Sequence, residues 1–84
     1  MATWQVALVR EQAVEFAVVC VRDNVVDFPG ERDDVVRWWS LHLGRPAVLM
    51  GAQRHRTYGR RDIVDFLSNI EPSRLPWRQV SVAA

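Results

Sequence analysis

The segment at residues 16–22 most constrains the fold of this chain, because it is apolar at both alternating sets of positions. A strand of this kind buries both of its faces and therefore belongs in the interior of a sheet. Residues 4–9 alternate instead, with Trp4, Val6 and Leu8 on one face. The short polar break between the two segments predicts an antiparallel hairpin. The chain is thus expected to build a sheet around residues 16–22.

Two amphipathic helices are predicted further along the chain. Acidic residues after a Pro-Gly pair and the cap residue Gly44 delimit the first helix, at about residues 31–43. Apolar residues at i, i+3, i+4 and i+7 spacing indicate the second helix, at about residues 60–70. The uncharged segment at residues 47–50 fits a parallel interior strand, and a last short strand is expected at residues 79–82.

These elements predict one domain over residues 1–84 with the order β-β-α-β-α-β. The expected fold class is α/β (α+β): a two-layer sandwich with a mixed sheet of four or five strands. Both helices are expected on one face, since right-handed crossovers that advance in one direction share a side of the sheet. The other face would be largely apolar and would need cover, which is a structural reason to expect a dimer.

Two local questions stay open in the sequence. Val25 and Val26 either extend the second strand or form a short strand after a turn. Residues 53–58 also alternate, so they form either a loop or, in part, a strand of their own.

Composition is that of a single globular domain. The chain has 84 residues, of which 49% are hydrophobic, and its four tryptophans supply much of the burial that a small domain needs. One cysteine excludes an internal disulfide, and neither a signal-peptide pattern nor an apolar run of membrane-spanning length is present. We therefore expect a cytoplasmic protein without membrane association.

The basic residues are all arginine, with no lysine in the sequence. A GC-rich, bacterial genome explains this bias, and so does retention of arginine for bidentate contacts to carboxylate or phosphate. The charge is also uneven: residues 1–42 hold seven acids against four arginines, and residues 43–84 hold seven arginines against three acids. Such polarity would steer an anionic ligand or pair two copies head to tail.

The segment at residues 51–61 contains the densest positive charge. Its candidates for ligand or anion binding are Arg54, His55, Arg56, Tyr58, Arg60 and Arg61. They precede the second predicted helix, whose free N–H groups attract anions, so a phosphate-bearing ligand or nucleic acid suits this chemistry. The opposing interpretation is a solvated surface with ion pairs to the acidic first helix. We favour it, because the spacing matches no phosphate-binding motif and the net charge is only +1.

Tryptophan supplies the candidates for a protein interface. On the first helix Trp39 aligns with the buried stripe, so the adjacent Trp38 diverges from it by about 100°. Trp38, Leu41 and His42 therefore remain at the rim of the core. Together with Trp4 of the first strand, they are the predicted interface residues.

Catalysis has little support in the sequence. Cys20 lies in the middle of an apolar strand, which is typical of an inert small hydrophobe. The two histidines, thirteen positions apart and without a cysteine pair, do not form a metal-site pattern. We therefore predict a non-enzymatic interaction module, without cofactor or metal, that forms a homodimer or binds another protein. Binding of a phosphate-bearing ligand or nucleic acid is the alternative.

Overall fold

A computed structural model describes residues 2–11 and 13–82, and its centre is a mixed sheet of five strands. The strands are β1 (Ala2–Glu11), β2 (Val14–Val21), β3 (Ala47–Gly51), β4 (Thr57–Tyr58) and β5 (Trp77–Val82). The helices are α1 (Asp23–Asp27), α2 (Pro29–Leu43) and α3 (Arg61–Leu67), with a 3-10 turn at Pro72–Arg74. The predicted α/β class, with a mixed sheet of four or five strands and two main helices, is confirmed.

The sheet has the strand order β4-β3-β2-β1-β5. β1 runs antiparallel to both β2 and β5, whereas β3 runs parallel to β2. The predicted hairpin is confirmed, and its turn includes Ala13 at a φ of 66°. Because β2 has a strand on each side and a helical layer on each face, both of its faces are buried, as residues 16–22 required.

The two main helices lie on opposite faces of the sheet, so the prediction of both helices on one face is wrong. α2 packs in a cluster with Val19 and Leu49, whereas α3 packs in a cluster with Val18 and Val48. From β2 to β3 the chain steps towards one edge, but from β3 to β5 it returns past β2 and β1 to the other edge. A right-handed crossover that runs in the opposite direction across the sheet places its helix on the opposite face. The sheet and α2 thus form a two-layer sandwich, and α3 covers part of the second face.

The ends of α2 follow the signals in the sequence. Pro29 occupies the first turn, where its missing N–H has no helical partner to lose. Gly44 ends the helix in the left-handed region at a φ of 67°, with its N–H donated to the Ser40 carbonyl at 3.0 Å. The Ser40 hydroxyl accepts the N–H of Ala47 at 3.1 Å and so ties the end of α2 to the start of β3.

Three local elements differ from the sequence-based expectation. Val25 and Val26 belong to α1 rather than to a strand, because Val26 is buried under α2 and tertiary packing outweighs the strand preference of valine. Of residues 53–58, only Thr57–Tyr58 form a strand, and residues 53–56 belong to the connection between β3 and β4. α3 ends at Leu67, three residues earlier than predicted.

Candidate functional site

The loop that follows β3 is held by a carboxylate from within the chain. Asp23 Oδ1 accepts hydrogen bonds from the backbone N–H groups of Gln53 at 3.1 Å and Arg54 at 3.3 Å. The other three N–H groups of residues 51–55 donate to backbone carbonyls. Every N–H of this loop segment therefore has an internal partner. Asp23 occupies the place in which a concave backbone loop would otherwise hold an external anion.

Acidic residues of α1 and α2 bind part of the arginine-rich segment. Arg56 Nη1 lies 2.6 Å from Asp27 Oδ1. The Tyr58 hydroxyl donates a hydrogen bond to Asp33, and the Arg32 guanidinium lies 4.1 Å from the centre of the Tyr58 ring. The acidic first half of the chain and the basic second half thus meet inside one molecule. This arrangement favours the interpretation of the segment as a solvated, ion-paired surface.

The remaining ligand candidates do not converge on one point. Arg60 Nε lies 2.8 Å from Asp62 Oδ1, at the start of α3. Arg54 and Arg61 are exposed and have no carboxylate within 4.0 Å among the residues that the structure describes. His55 is exposed as well, and its φ of 57° places it in the left-handed region.

The interface candidates form a connected row of rings on the α2 face. The Trp38 and His42 rings are stacked with centroids 4.8 Å apart, and Trp38 meets Trp39 edge-to-face at 4.9 Å. Trp39 in turn meets Trp4 of β1 edge-to-face at 5.5 Å. We call Trp4, Trp39, Trp38 and His42 the aromatic row. Trp39 is only 2% exposed, whereas Trp38 is 46% exposed, so the row runs from the core to the surface.

The side of α2 on which Trp38 lies follows from helical geometry. Asp33 and Trp38 are separated by about 140° around the helix axis. Asp33 binds Tyr58 of β4, at one edge of the sheet, so Trp38 faces the opposite side, above β1. Leu41 is 79% exposed and lies further round α2, away from the protein's own sheet.

On the α2 face of the sheet, the half that β1 and β5 form is incompletely covered. α1 and α2 pack mainly on β3, and a helix about 10 Å wide covers only about two strands spaced about 4.8 Å apart. Trp4, Leu8 and Val80 on β1 and β5 remain half-buried on this face. Arg78 of β5 pairs with Val6 and therefore shares the same face. We call Trp4, Leu8, Arg78 and Val80 the open half-face.

Phe28 and Asp23 are not among the candidate residues predicted from the sequence. Phe28 is 57% exposed and lies immediately before α2, which begins at Pro29, two residues earlier than the predicted start at residue 31. Asp23 was assigned no role, because nothing local indicates that it binds a loop thirty residues away.

The single thiol is poorly suited to nucleophilic chemistry. Burial, and secondarily the negative charge of Asp23, raise the pKa of Cys20 above its ordinary value of 9.0. The thiol is therefore neutral at physiological pH, whereas nucleophilic cysteines are thiolates. Among residues 2–11 and 13–82, no group of three His, Cys, Asp or Glu side chains is placed to hold a metal ion.

Comparisons with protein families, with curated proteins and with solved structures find no match to this chain. In the described part of the chain, every helix is too short or too polar to cross a membrane. The function is therefore inferred from the geometry of the molecule itself.

Proposed function

We propose that this protein is a non-enzymatic interaction module that pairs with a second copy of itself through α2 and the open half-face. The observation that carries the proposal is the state of Trp38, which is 46% exposed and yet fixed between Trp39 and His42. A large ring that is already immobilised loses little conformational entropy when a partner covers it. Tryptophans of this kind are typical centres of protein interfaces.

The shape of the α2 face suits a two-fold pair. If two α2 helices lie side by side between the two sheets, each helix fills the space above β1 and β5 of the other copy. Trp38 then packs against Trp38 of the second copy, and Leu41 contacts Trp4 and Val80 of the second copy. Each protomer supplies the same patch, as an isologous interface requires.

The charges on the two surfaces are complementary. Asp34 lies on the outer side of α2, seven positions before Leu41, and Arg78 belongs to the open half-face. Neither side chain has an oppositely charged partner within 4.0 Å among the described residues. The proposed pair brings Asp34 of each copy towards Arg78 of the other. Opposite charges at these positions fix orientation and speed association.

Anion binding by the arginine-rich segment has less support and is retained as the alternative. Arg56 and Arg60 have internal carboxylate partners, and the loop N–H groups are used within the chain. α3 has only seven residues and begins next to Asp62, so its first turn carries its own negative charge. Arg54 and Arg61 are the arginines of the segment that an external anion would engage without displacing an ion pair.

Sedimentation equilibrium at micromolar concentration tests the proposal. The wild type is expected to be a monomer–dimer mixture, and Trp38→Ala and Leu41→Arg are each expected to weaken the dimer at least tenfold, because both remove contacts twice per dimer. Phe28→Ala is the matched control, since it removes exposed apolar surface about 15 Å along the helix from Trp38. A wild type that stays monomeric, or a control that weakens the dimer as much as Leu41→Arg, would contradict the proposal.

A charge exchange tests the orientation separately. Arg78→Glu should weaken the dimer because it places two acids opposite each other, and adding Asp34→Arg to that variant should restore the affinity. If the double variant is weaker than Arg78→Glu alone, the two residues do not meet across the interface.

A further inference from the structure

The carboxyl ends of β2 and β3 lie side by side where the chain reverses its direction across the sheet. β2 leads into α1 and α2 on one face, whereas β3 leads through the arginine-rich segment to α3 on the other face. Connections that diverge in this way leave a crevice between them. In open α/β sheets, this crevice is the usual place for a ligand.

Two cavities adjoin at this point of the fold. The first has a volume of about 470 Å³ and lies on the α3 face, between the strand ends and the segment that follows α3. The second has a volume of about 550 Å³ and lies on the α2 face. Gln5, Cys20 and Ala52 line both cavities. Each volume falls in the range of small-molecule sites.

The first cavity has a mainly apolar wall with a few polar groups. Met50, Pro72 and Trp77 supply the apolar surface. Trp77 Nε1 donates to the Pro72 carbonyl at 2.8 Å, so the indole is fixed in place and its N–H is already used. A rigid indole in the wall favours a planar ligand, because flat rings stack on it.

The polar groups of the first cavity are available to a ligand. The side chains of Gln5, His55 and Ser73 line it and form no hydrogen bond to the described residues. They offer an amide, an imidazole and a hydroxyl, each able to take part as donor or acceptor. His55 is held in its left-handed conformation with its N–H donated to the Gly51 carbonyl. Strained residues of this type occur preferentially at ligand sites.

The charge of the first cavity disfavours anions. Among the described residues that line it there is no arginine and one acid, Glu71. The backbone N–H groups of the adjoining loop are directed to Asp23 and to carbonyls. A phosphate bound here would lie near the Glu71 carboxylate and would receive no hydrogen bond from a backbone N–H group of that loop.

We propose that the first cavity binds an uncharged, planar nitrogen heterocycle that stacks on Trp77 and exchanges hydrogen bonds with Gln5, His55 and Ser73. The residues that line this cavity belong neither to the aromatic row nor to the open half-face, so the site does not depend on the proposed self-association.

A titration followed by two-dimensional amide NMR tests this site with adenine, benzimidazole and quinazolinone as probes, and with inorganic phosphate as the contrast. At least one heterocycle is expected to give saturable shifts at Gln5, Cys20, Ala52 and His55, whereas phosphate leaves these amides unchanged. Because Cys20 is the only cysteine and lines the site, the same heterocycle should slow its alkylation in proportion to occupancy.

Two variants of neighbouring exposed residues provide the control. Ala52→Leu adds a side chain in the wall of both cavities and should weaken heterocycle binding at least tenfold. Gln53→Leu makes a similar change one residue away, outside both linings, and should bind as the wild type does. The proposal is overturned if none of the heterocycles gives saturable shifts, if phosphate shifts the same amides, or if Ala52→Leu binds normally.

Discussion

The carboxylate of Asp23 rests against Gly51, in the space that a Cβ at position 51 would occupy. The same carboxylate oxygen binds the next turn of the chain through the N–H groups of Gln53 and Arg54. Asp23 begins α1, directly after β2, and Gly51 ends β3. A single side chain therefore joins the carboxyl ends of two neighbouring parallel strands.

This contact predicts coupled effects of substitution on the free energy of unfolding. Asp23→Ala leaves two N–H groups to water and should destabilise the fold by about 1 kcal/mol. Gly51→Ala should destabilise it by a similar amount, because the carboxylate must move away from the new methyl group. In the Asp23→Ala background, Gly51→Ala should cost much less, which urea denaturation of all four proteins would reveal. Strictly additive effects would show that the two residues do not share this space.

Replacement by alanine is expected to have opposite effects on the free energy of unfolding at Gly30, in the first turn of α2, and at Gly44, at its end. Gly44→Ala forces a methyl-bearing residue into the left-handed region and should lower the free energy of unfolding by about 1–2 kcal/mol. Gly30→Ala adds its methyl group to open space inside the first turn and should raise it by about 0.5–1 kcal/mol. Thermal denaturation followed by circular dichroism compares the two. Equal losses would mean that the cap conformation of Gly44 is not responsible.

We expect the hydrogen bond between Tyr58 and Asp33 to make the fold less stable at high pH. Its hydrogen bond to Asp33 is the main reason that the pKa of its hydroxyl is raised above the ordinary value of 10.0, with burial and the Asp33 charge adding to the effect. Since the folded state prefers the neutral phenol, this stabilisation is complete below pH 10 and is lost as the pH rises through the folded-state pKa.

The titration is readily observed, because Tyr58 is the only tyrosine. Tyrosinate absorbance should give a lower pKa in Asp33→Asn than in the wild type, while Asp34→Asn, at the next position, should leave the pKa of Tyr58 unchanged. An equal shift in both variants would point to general surface charge rather than to the Asp33 hydrogen bond.

Sulfate provides a test of the anion-binding alternative. Sulfate stabilises most proteins by exclusion from their surface, so only a difference between wild type and variants is informative. We expect the gain in melting temperature over chloride at equal ionic strength to be the same in wild type, Arg60→Ala and Arg61→Ala. A gain that shrinks in either variant would instead support a bound anion at the start of α3.

The elements that the sequence predicted well depend on local or repeating patterns. The alternation of residues 4–9, the two-sided apolar run at 16–22 and the cap at Gly44 each determine the structure of their own segment. The face on which α3 lies depends instead on where β5 enters the sheet. That position is set by pairs such as Ala2 and Val82, which are separated by almost the whole chain, so no local pattern reveals it.

The candidate sites show the same difference between local patterns, which the sequence reveals, and non-local contacts, which it does not. The divergence of Trp38 from the buried Trp39 follows from helical geometry alone, and the structure has Trp38 exposed. The partners of the arginine-rich segment are non-local, since Arg56 binds an acid 29 positions away. Charge patterning indicated that such pairs would form, but it did not identify Asp27 or assign Asp23 its role.

The aromatic row also provides an intrinsic spectroscopic signal. Indole rings at these separations exchange excitation energy and couple their electronic transitions, so near-ultraviolet circular dichroism should respond to any rotation of Trp38 relative to Trp39. Light absorbed at the buried end of the row can be emitted from the ring that faces water. Covering Trp38 should therefore shift the emission of the whole molecule to shorter wavelength, and the occupancy of this surface becomes readable without a label.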